Sequence, residues 1–279
     1  MQDELDEKHF ARLAQLVEDH TGIKLPPGKR TMVEGRLRKR VRALGLARLQ
    51  DYGDAIFVHG KLDDEFPYLI DCVTTNKTDF FREPDHFNYL CEVIVPTLLA
   101  ERRPSDTRLK FWSAASSIGA EAYTIAMVMT DMLEDKGKTC FSILGTDICR
   151  DVLEQARRAI FPLSMIDPIP AHFRQRYVMR SVNSLRQEMR MVPEIRRLVR
   201  FAHLNLMDES YPFDRDIDVI FCRNILIYFQ REKQDAVINR LSRHLRPGGY
   251  LILGHSESLA GNSQTILQQV TPTIFRKAR

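Results

Sequence analysis

The stretch LKFWSAASSIGAEAYTIAM at residues 109–127, followed by CFSILGTD at 140–147, decides the fold class. LKFWSA is a short apolar run that ends in small residues, the pattern of a buried strand. A helical pattern follows from about 119 to 134, CFSILGTD reads as the next strand, and about 149 to 160 reads as the next helix. Strand, helix, strand, helix is βαβ order and calls for a parallel sheet. The alternation breaks over about 161–198, where the segment from Phe161 to Ile195 carries enough Val, Met and Tyr for a hairpin or small subdomain. It resumes with VRFAHL, IDVIFCRN, an amphipathic helix carrying Val237, Leu241 and Leu245, a turn at Arg246-Pro247-Gly248-Gly249, and the strand YLILGHS. A parallel, doubly wound sheet is expected.

Upstream of Leu109 the chain reads as helices. Phe10, Leu13 and Val17 recur at helical spacing, and Gly22 supplies a stop. A second helix follows Pro26-Pro27-Gly28, with Val33, Leu37, Val41 and Leu44 as its apolar stripe. Lys29, Arg36, Lys39 and Arg40 project from a neighbouring face, expected to be free for an acidic partner. Between Lys29 and Arg42 the basic residues Lys29, Arg30, Arg36, Arg38, Lys39, Arg40 and Arg42 face one acid, Glu34. Further helices are expected at about 48–59, 62–74 and 85–101, the last two separated by the polar segment TTNKTDFFREP.

The 279 residues contain 44% hydrophobic and 28% charged side chains with a net charge of +4, which excludes a disordered or fibrous chain. No apolar run approaches the roughly 18 residues of a membrane span, and the start MQDELDEKHF is acidic where a secretory leader is basic. A cytoplasmic protein without membrane insertion is expected. Cys72, Cys91, Cys140, Cys149 and Cys222 show neither CxxC nor Cys/His ligand spacing, so no disulfide framework and no metal are expected.

In an open α/β sheet the ligand lies beyond the carboxyl ends of the strands. The loop Ser113-Ala114-Ala115-Ser116-Ser117-Ile118-Gly119 is small but lacks GxGxxG, which favours a cofactor without phosphates over a dinucleotide. The same loop would also serve simply to pack helix on sheet. Asp147, at the end of the second strand, has the chemistry to accept both hydroxyl protons of a ribose, or to cap the helix that follows. Glu121, in a first helical turn, can hold an ammonium group or answer the helix dipole. Arg223 and Asn224 follow the fourth strand, and Tyr228 stands just beyond, over the crevice or with its hydroxyl satisfied in the core. The hinge TTNKTDFFRE offers Asn76, Thr78 and Arg82 around Phe80 and Phe81.

Taken together, TTNKTDFFREPDHF, WSAASSIGAEAYTIAM, ILGTDI, HLNLMD, FCRNILIYF and LRPGGYLILGHSESL resemble, in order and spacing, the CheR family of chemotaxis receptor methyltransferases. The resemblance implies an α/β fold: a Rossmann-like S-adenosylmethionine (SAM) methyltransferase sheet, a small N-terminal all-helical domain and a small inserted β-subdomain. The implied organisation is a receptor-recognition domain over 1–75, a linker and first helix over 76–108, and a catalytic domain over 109–279 with the insertion at about 161–198. Carried over residue by residue, Asn76, Thr78, Arg82, Glu121, Asp147, Asn205, Leu206, Asn224 and Ile225 would contact SAM. Arg82 and Tyr228 would act in methyl transfer. Arg36, Lys39, Arg40 and Arg42 would meet the glutamate-rich cytoplasmic helices of a chemoreceptor. A receptor C-terminal tether peptide is a further candidate partner, docked in some members through a glycine-containing loop of the β-subdomain. Here the matching stretch, from Ser181 to Arg186, has no glycine, and GAEAY at 119–123 stands where the family usually reads GEEPY.

The implied reaction is methyl esterification of glutamate side chains by a monomeric enzyme that needs no metal and leaves S-adenosylhomocysteine. A glutamate is ionised near pH 7, its ordinary pKa being about 4.3, so no base is required. A nucleic-acid methyltransferase is the first alternative, but no aromatic platform interleaves the basic run. A module that binds SAM without turnover is the second. Gly254-His255-Ser256-Glu257-Ser258 imitates a hydrolase elbow but lacks its final glycine.

Overall fold

The computed structural model describes residues 3–102, 108–134, 140–183, 185–259 and 266–278. Four helices come first: α1 (Glu7–Thr21), α2 (Arg30–Ala43), α3 (Leu49–Phe57) and α4 (Leu62–Val73). Asp6 caps α1 by accepting the His9 N–H at 2.6 Å, and Gly22 ends it in the left-handed region at φ 74°. A β-carbon on Gly22 would stand 2.8 Å from the Met207 sulfur, so this turn also packs closely on the loop that follows β6. After the hinge, α5 (Asp85–Tyr89) runs through a π turn (Leu90–Ile94) into α6 (Val95–Ala100), the single long helix expected there.

The sheet contains β1 (Arg108–Ala114), β2 (Cys140–Asp147), β6 (Val199–His203), β7 (Ile217–Cys222), β8 (Leu245–Leu253), β9 (Leu267–Thr271) and β10 (Ile274–Lys277). Their order is β6-β2-β1-β7-β8-β10-β9. Helices α7 (Ala120–Leu133), α8 (Arg150–Arg158) and α11 (Arg231–His244) supply crossovers. The strands from β6 to β8 are parallel, whereas β10 runs antiparallel to β8 and β9 antiparallel to β10. The sheet is therefore mixed, not wholly parallel. The C-terminal hairpin escapes a reading by apolar runs because β9 buries Leu267 and exposes Gln268, Gln269 and Val270. The insertion holds β3 (Ile160–Pro162), α9 (Ala171–Tyr177), β4 (Val178–Arg180), β5 (Glu188–Met191) and α10 (Pro193–Arg196). Its three strands pair antiparallel in the order β3-β5-β4. In the loop between β4 and β5, Ser184 lies outside the described residues.

Alternation along the strands divides the interior. Phe111, Val219, Phe221 and Ile252 face a core shared with α7 and the insertion. Trp112, Ile220, Cys222 and Leu251 face the other way, where they join α11 and the interior of α1 to α4 in one apolar cluster. The helical domain is thus packed onto one face of the sheet and continuous with its core.

Three local expectations are corrected. Leu245 opens β8 instead of closing the apolar stripe of α11, and the Arg246–Gly249 segment continues that strand through a register shift against β7. The irregularity needs Gly249, whose β-carbon would sit 3.0 Å from the carbonyl oxygens of Arg246 and Asp218. Leu44 lies beyond the stripe of α2 and is 38% exposed, because α2 has already ended at Ala43. The basic face of α2 is also not free throughout. Arg40 forms a bidentate pair with buried Glu65 at 2.7 and 2.8 Å, and Arg36 donates to the Thr74 carbonyl at 2.7 Å. These two guanidiniums tie α2 to α4, while Lys39 and Arg42 are exposed.

Removing Arg40 would leave the Glu65 carboxylate buried without its partner. Arg40→Ala is expected to lower stability to urea by about 2–4 kcal/mol, and Lys39→Ala by less than about 0.5 kcal/mol. Equal, small effects would show that the Arg40–Glu65 pair does not hold α2 on α4.

Candidate functional site

The loops at the carboxyl ends of β1, β2 and β7 converge with the hinge and with α1 on one cleft of about 1090 Å³, open solvent at its mouth included. Its floor is the loop after β1, where Ala115 and Ser117 take left-handed backbone at φ 58° and 51°. Such conformations persist in non-glycine residues only where surrounding bonds hold them. Here the Ser117 N–H donates to Asp147 Oδ2 at 2.8 Å, the Ser116 N–H to the Thr146 carbonyl at 2.8 Å, and Ser117 Oγ to the Asn76 carbonyl at 2.8 Å. Asp147 also accepts the Cys149 N–H at 2.9 Å. It therefore braces the β1 loop against the start of the segment leading to α8, although α8 itself begins only at Arg150. Burial pushes the Asp147 carboxyl up to about 6, against the pull of the Cys149 and Ser117 N–H donors.

The loop after β7 makes the second wall. Asn224 stands at φ 58°, and its N–H donates to Glu257 Oε2 at 2.9 Å. The other Glu257 oxygen accepts the Leu226 N–H at 2.7 Å, so one buried carboxylate shapes the turn. Asn224 Nδ2 reaches Glu83 Oε1 at 3.0 Å, linking this wall to the hinge. Arg223 is 7% exposed; its Nε lies 3.3 Å from Glu121 and 3.5 Å from Glu83, and its Nη2 donates to the Arg82 carbonyl. Arg223 Nη1 has no hydrogen-bond partner among the described residues. Glu121 accepts Ser113 Oγ at 2.6 Å; burial raises its pKa, with Arg223 opposing. Burial acts likewise on Glu83, but the Asn224 hydrogen bond and Arg223 outweigh it and leave that pKa lowered.

The helical domain provides part of the lining through Thr21, Ile23 and Lys29. Asn205 Nδ2 donates to the His20 carbonyl at 2.6 Å, the Lys24 N–H donates to the Tyr228 carbonyl at 3.3 Å, and Gln230 pairs with Glu18. All the residues expected to contact a cofactor, Asn76, Thr78, Arg82, Glu121, Asp147, Asn205, Leu206, Asn224 and Ile225, line this cleft together with Tyr228. Arg36, Lys39, Arg40 and Arg42 do not. The sequence reading placed Lys29 on the free basic face and not in the cleft, and left Arg223 and Glu257 without a role. The adjacency of Arg223 to Asn224 and the acid in GHSES were the available hints, but their long-range partners were not readable.

Glu83, His86 and His255 bring potential ligand atoms within 4.8 Å of one another beside the cleft. The Arg223 guanidinium beside the same Glu83 carboxylate opposes a cation there, and burial, aided by that charge, lowers the His86 pKa to about 4.

Residues 8–74 match the CheR methyltransferase all-alpha domain, and residues 76–275 match the CheR methyltransferase SAM binding domain. The chain belongs to the CheR methyltransferase family. It is 34% identical to a chemotaxis protein methyltransferase of Borreliella burgdorferi, over 96% of this chain and 93% of that protein. It is 36% identical to a chemotaxis protein methyltransferase of Salmonella typhimurium, over 92% of this chain and 85% of that protein. Chemotaxis protein methyltransferase 2 of Pseudomonas aeruginosa is 34% identical over 96% of this chain and 92% of its own length. No described helix is long and apolar enough to cross a membrane.

The residues present suit SAM. Asp147 and Glu121 offer carboxylates for hydroxyl and ammonium groups, the lining residues Ser116 and Arg223 each keep a buried polar atom, Oγ and Nη1, with no hydrogen-bond partner among the described residues, and the floor has no glycine-rich phosphate cradle. Ionised Asp147 accepts hydroxyl hydrogen bonds fully, and its protonated form does so less well. With its pKa raised to about 6, the ionised fraction falls as pH drops from 7.5 to 5.5. SAM affinity is expected to fall by about threefold to fivefold over that range. Calorimetry should show weaker, pH-flat binding for Asp147→Asn; equal pH slopes in the two proteins would remove Asp147 as the titrating contact.

Proposed function

We propose that this chain transfers the methyl group of SAM to glutamate side chains on the cytoplasmic helices of chemoreceptors. The observation that carries the reading is the chemistry of the lining: Lys29, Lys77, Arg82 and Arg223 are present, no histidine or cysteine is found among the described lining residues, and of the acids Asp79, Glu121 and Asp147 the last two are held in hydrogen bonds of the protein's own. Methyl transfer to a hydroxyl, thiol or ammonium group needs a proton removed, usually by a nearby base. A carboxylate arrives already ionised, and cations attract it. The curated relatives are chemotaxis methyltransferases, which favours receptor proteins as the source of that carboxylate.

Bound SAM supplies an electrophilic methyl group. Asp147 is suited to its ribose hydroxyls and Glu121 to its ammonium, while Leu206 and Ile225 offer apolar wall. Arg223, held between Glu121 and Glu83, keeps a free Nη1 donor for a carboxylate of the cofactor. Arg82 is loosely held, its Nη1 donating to the Lys77 carbonyl only at a long 3.4 Å, so it can turn toward an entering glutamate. Tyr228 belongs to the same lining and can offer its hydroxyl there. Orientation of the carboxylate is the main contribution of these side chains to rate. Exposed Lys39 and Arg42 on α2 are the better candidates for receptor contact, since Arg36 and Arg40 are committed within the domain.

Labelled methyl from SAM should appear as base-labile label on a chemoreceptor cytoplasmic fragment, be absent from its Glu→Ala variant, and be absent from RNA. Label on RNA, or label that survives the Glu→Ala change, would replace the substrate assignment. Arg82→Ala is expected to lower turnover about 100-fold while weakening SAM binding by a smaller factor. A loss confined to SAM affinity would make Arg82 a cofactor ligand alone.

A further inference from the structure

Lys29 ends the tight turn Pro27–Lys29 that precedes α2. Its backbone N–H closes that turn on the Pro26 carbonyl at 2.8 Å, and its side chain lies over the ring of Tyr228, with Nζ 5.1 Å from the ring centroid. That distance is within reach of a cation–π attraction. Its neighbour Arg30 is already paired with Glu34 at 2.9 Å and bonded to the Leu5 carbonyl. Lys29 differs: among the described residues no carboxylate lies within ion-pair distance of it, although it is half-buried. A half-buried ammonium without a counter-ion has lost hydration for no compensating pair. The cleft it lines is the one that holds Arg82, Asn224 and Tyr228.

The segment carrying Lys29 is fixed relative to the sheet. The Lys24 N–H is bonded to the Tyr228 carbonyl, and the Gly22 turn packs on Met207 and Phe229. The ammonium is therefore presented to the cleft by the helical domain as a built feature of the lining.

We infer that Lys29 is a substrate-binding residue: its ammonium receives the carboxylate of the incoming acceptor, sets that carboxylate beside Tyr228, and gives the site its preference for glutamate over glutamine. The inference rests on the proposed glutamate methylation, and it adds that the helical domain takes part in acceptor recognition inside the cleft. A carboxylate pairs with an ammonium where the isosteric amide offers only a dipole.

The test uses the full chain and a chemoreceptor cytoplasmic fragment with its Glu→Gln variant, in both binding and transfer. Wild type should bind the Glu form about tenfold more tightly than the Gln form. Lys29→Met keeps the aliphatic stem over Tyr228 but removes the charge; it should equalise the two affinities, raise KM for the receptor about tenfold, and leave kcat within threefold. The SAM dissociation constant should stay within twofold, and Lys29→Arg should restore the preference. Unchanged discrimination in Lys29→Met would reduce Lys29 to a packing role, and a parallel loss of SAM affinity would make it a cofactor ligand; either overturns the inference. Wild-type preference for the Glu form without base-labile label would refute glutamate methylation while leaving Lys29 as a carboxylate receptor. Absence of any preference in wild type would refute the Lys29 assignment even where label is transferred.

Discussion

The arrangement of the cleft depends on one buried guanidinium. Arg223 leaves the end of β7, sits between Glu83 of the hinge and Glu121 of α7, and holds the Arg82 carbonyl. A charge withdrawn from water this far is tolerable only with opposite charge beside it. The requirement joins three segments that are distant in sequence. It places Arg82 on the lining, aims Glu121 at the floor, and brings Asn224 within reach of Glu83. Removing either acid would leave the guanidinium with a single counter-charge where the site is formed.

The second constraint is the contact between helices and sheet. The apolar interior of α1 to α4 continues into the face of the sheet carrying Trp112 and Ile220, so the helical domain is seated by burial, with a few polar bonds fixing its register. Asn205 shows how closely the two roles are combined: its side chain lines the cleft and also donates to the His20 carbonyl. Cleft and domain interface thus share residues, and the helical domain supplies part of the cleft wall.

Much of this was legible from residue order. The runs at 109–114 and 140–147 became β1 and β2 with their parallel pairing, and the helices expected at 48–59 and 62–74 lie at Leu49–Phe57 and Leu62–Val73. Of the cofactor contacts implied by the family resemblance, Asp147, Asn205, Leu206, Asn224 and Ile225 converge on one cleft because they lie at or just after strand ends, which a parallel sheet gathers along one edge, and the hinge adds Asn76, Thr78 and Arg82. The antiparallel β9–β10 hairpin was not legible, since an edge strand with one buried residue has weak periodicity. Nor was the continuation of β8 through Arg246–Gly249, where a proline and two glycines imitate a turn.

By itself, the sequence determined the order of helices and parallel strands, the absence of a phosphate-binding glycine loop, and the family to which the chain belongs. Those properties reside in local spacing and residue type. Which charges are committed was decided only in the tertiary structure. Arg36 and Arg40 look identical in sequence to Lys39 and Arg42, yet the first two are drawn onto the Thr74 carbonyl and Glu65 while the others face water. Likewise Lys29 is one of seven basic residues between Lys29 and Arg42, and only folding sets it over Tyr228, with no carboxylate at ion-pair distance among the described residues. An ion pair depends on where two chain segments meet in space, and that information is not carried by either segment alone.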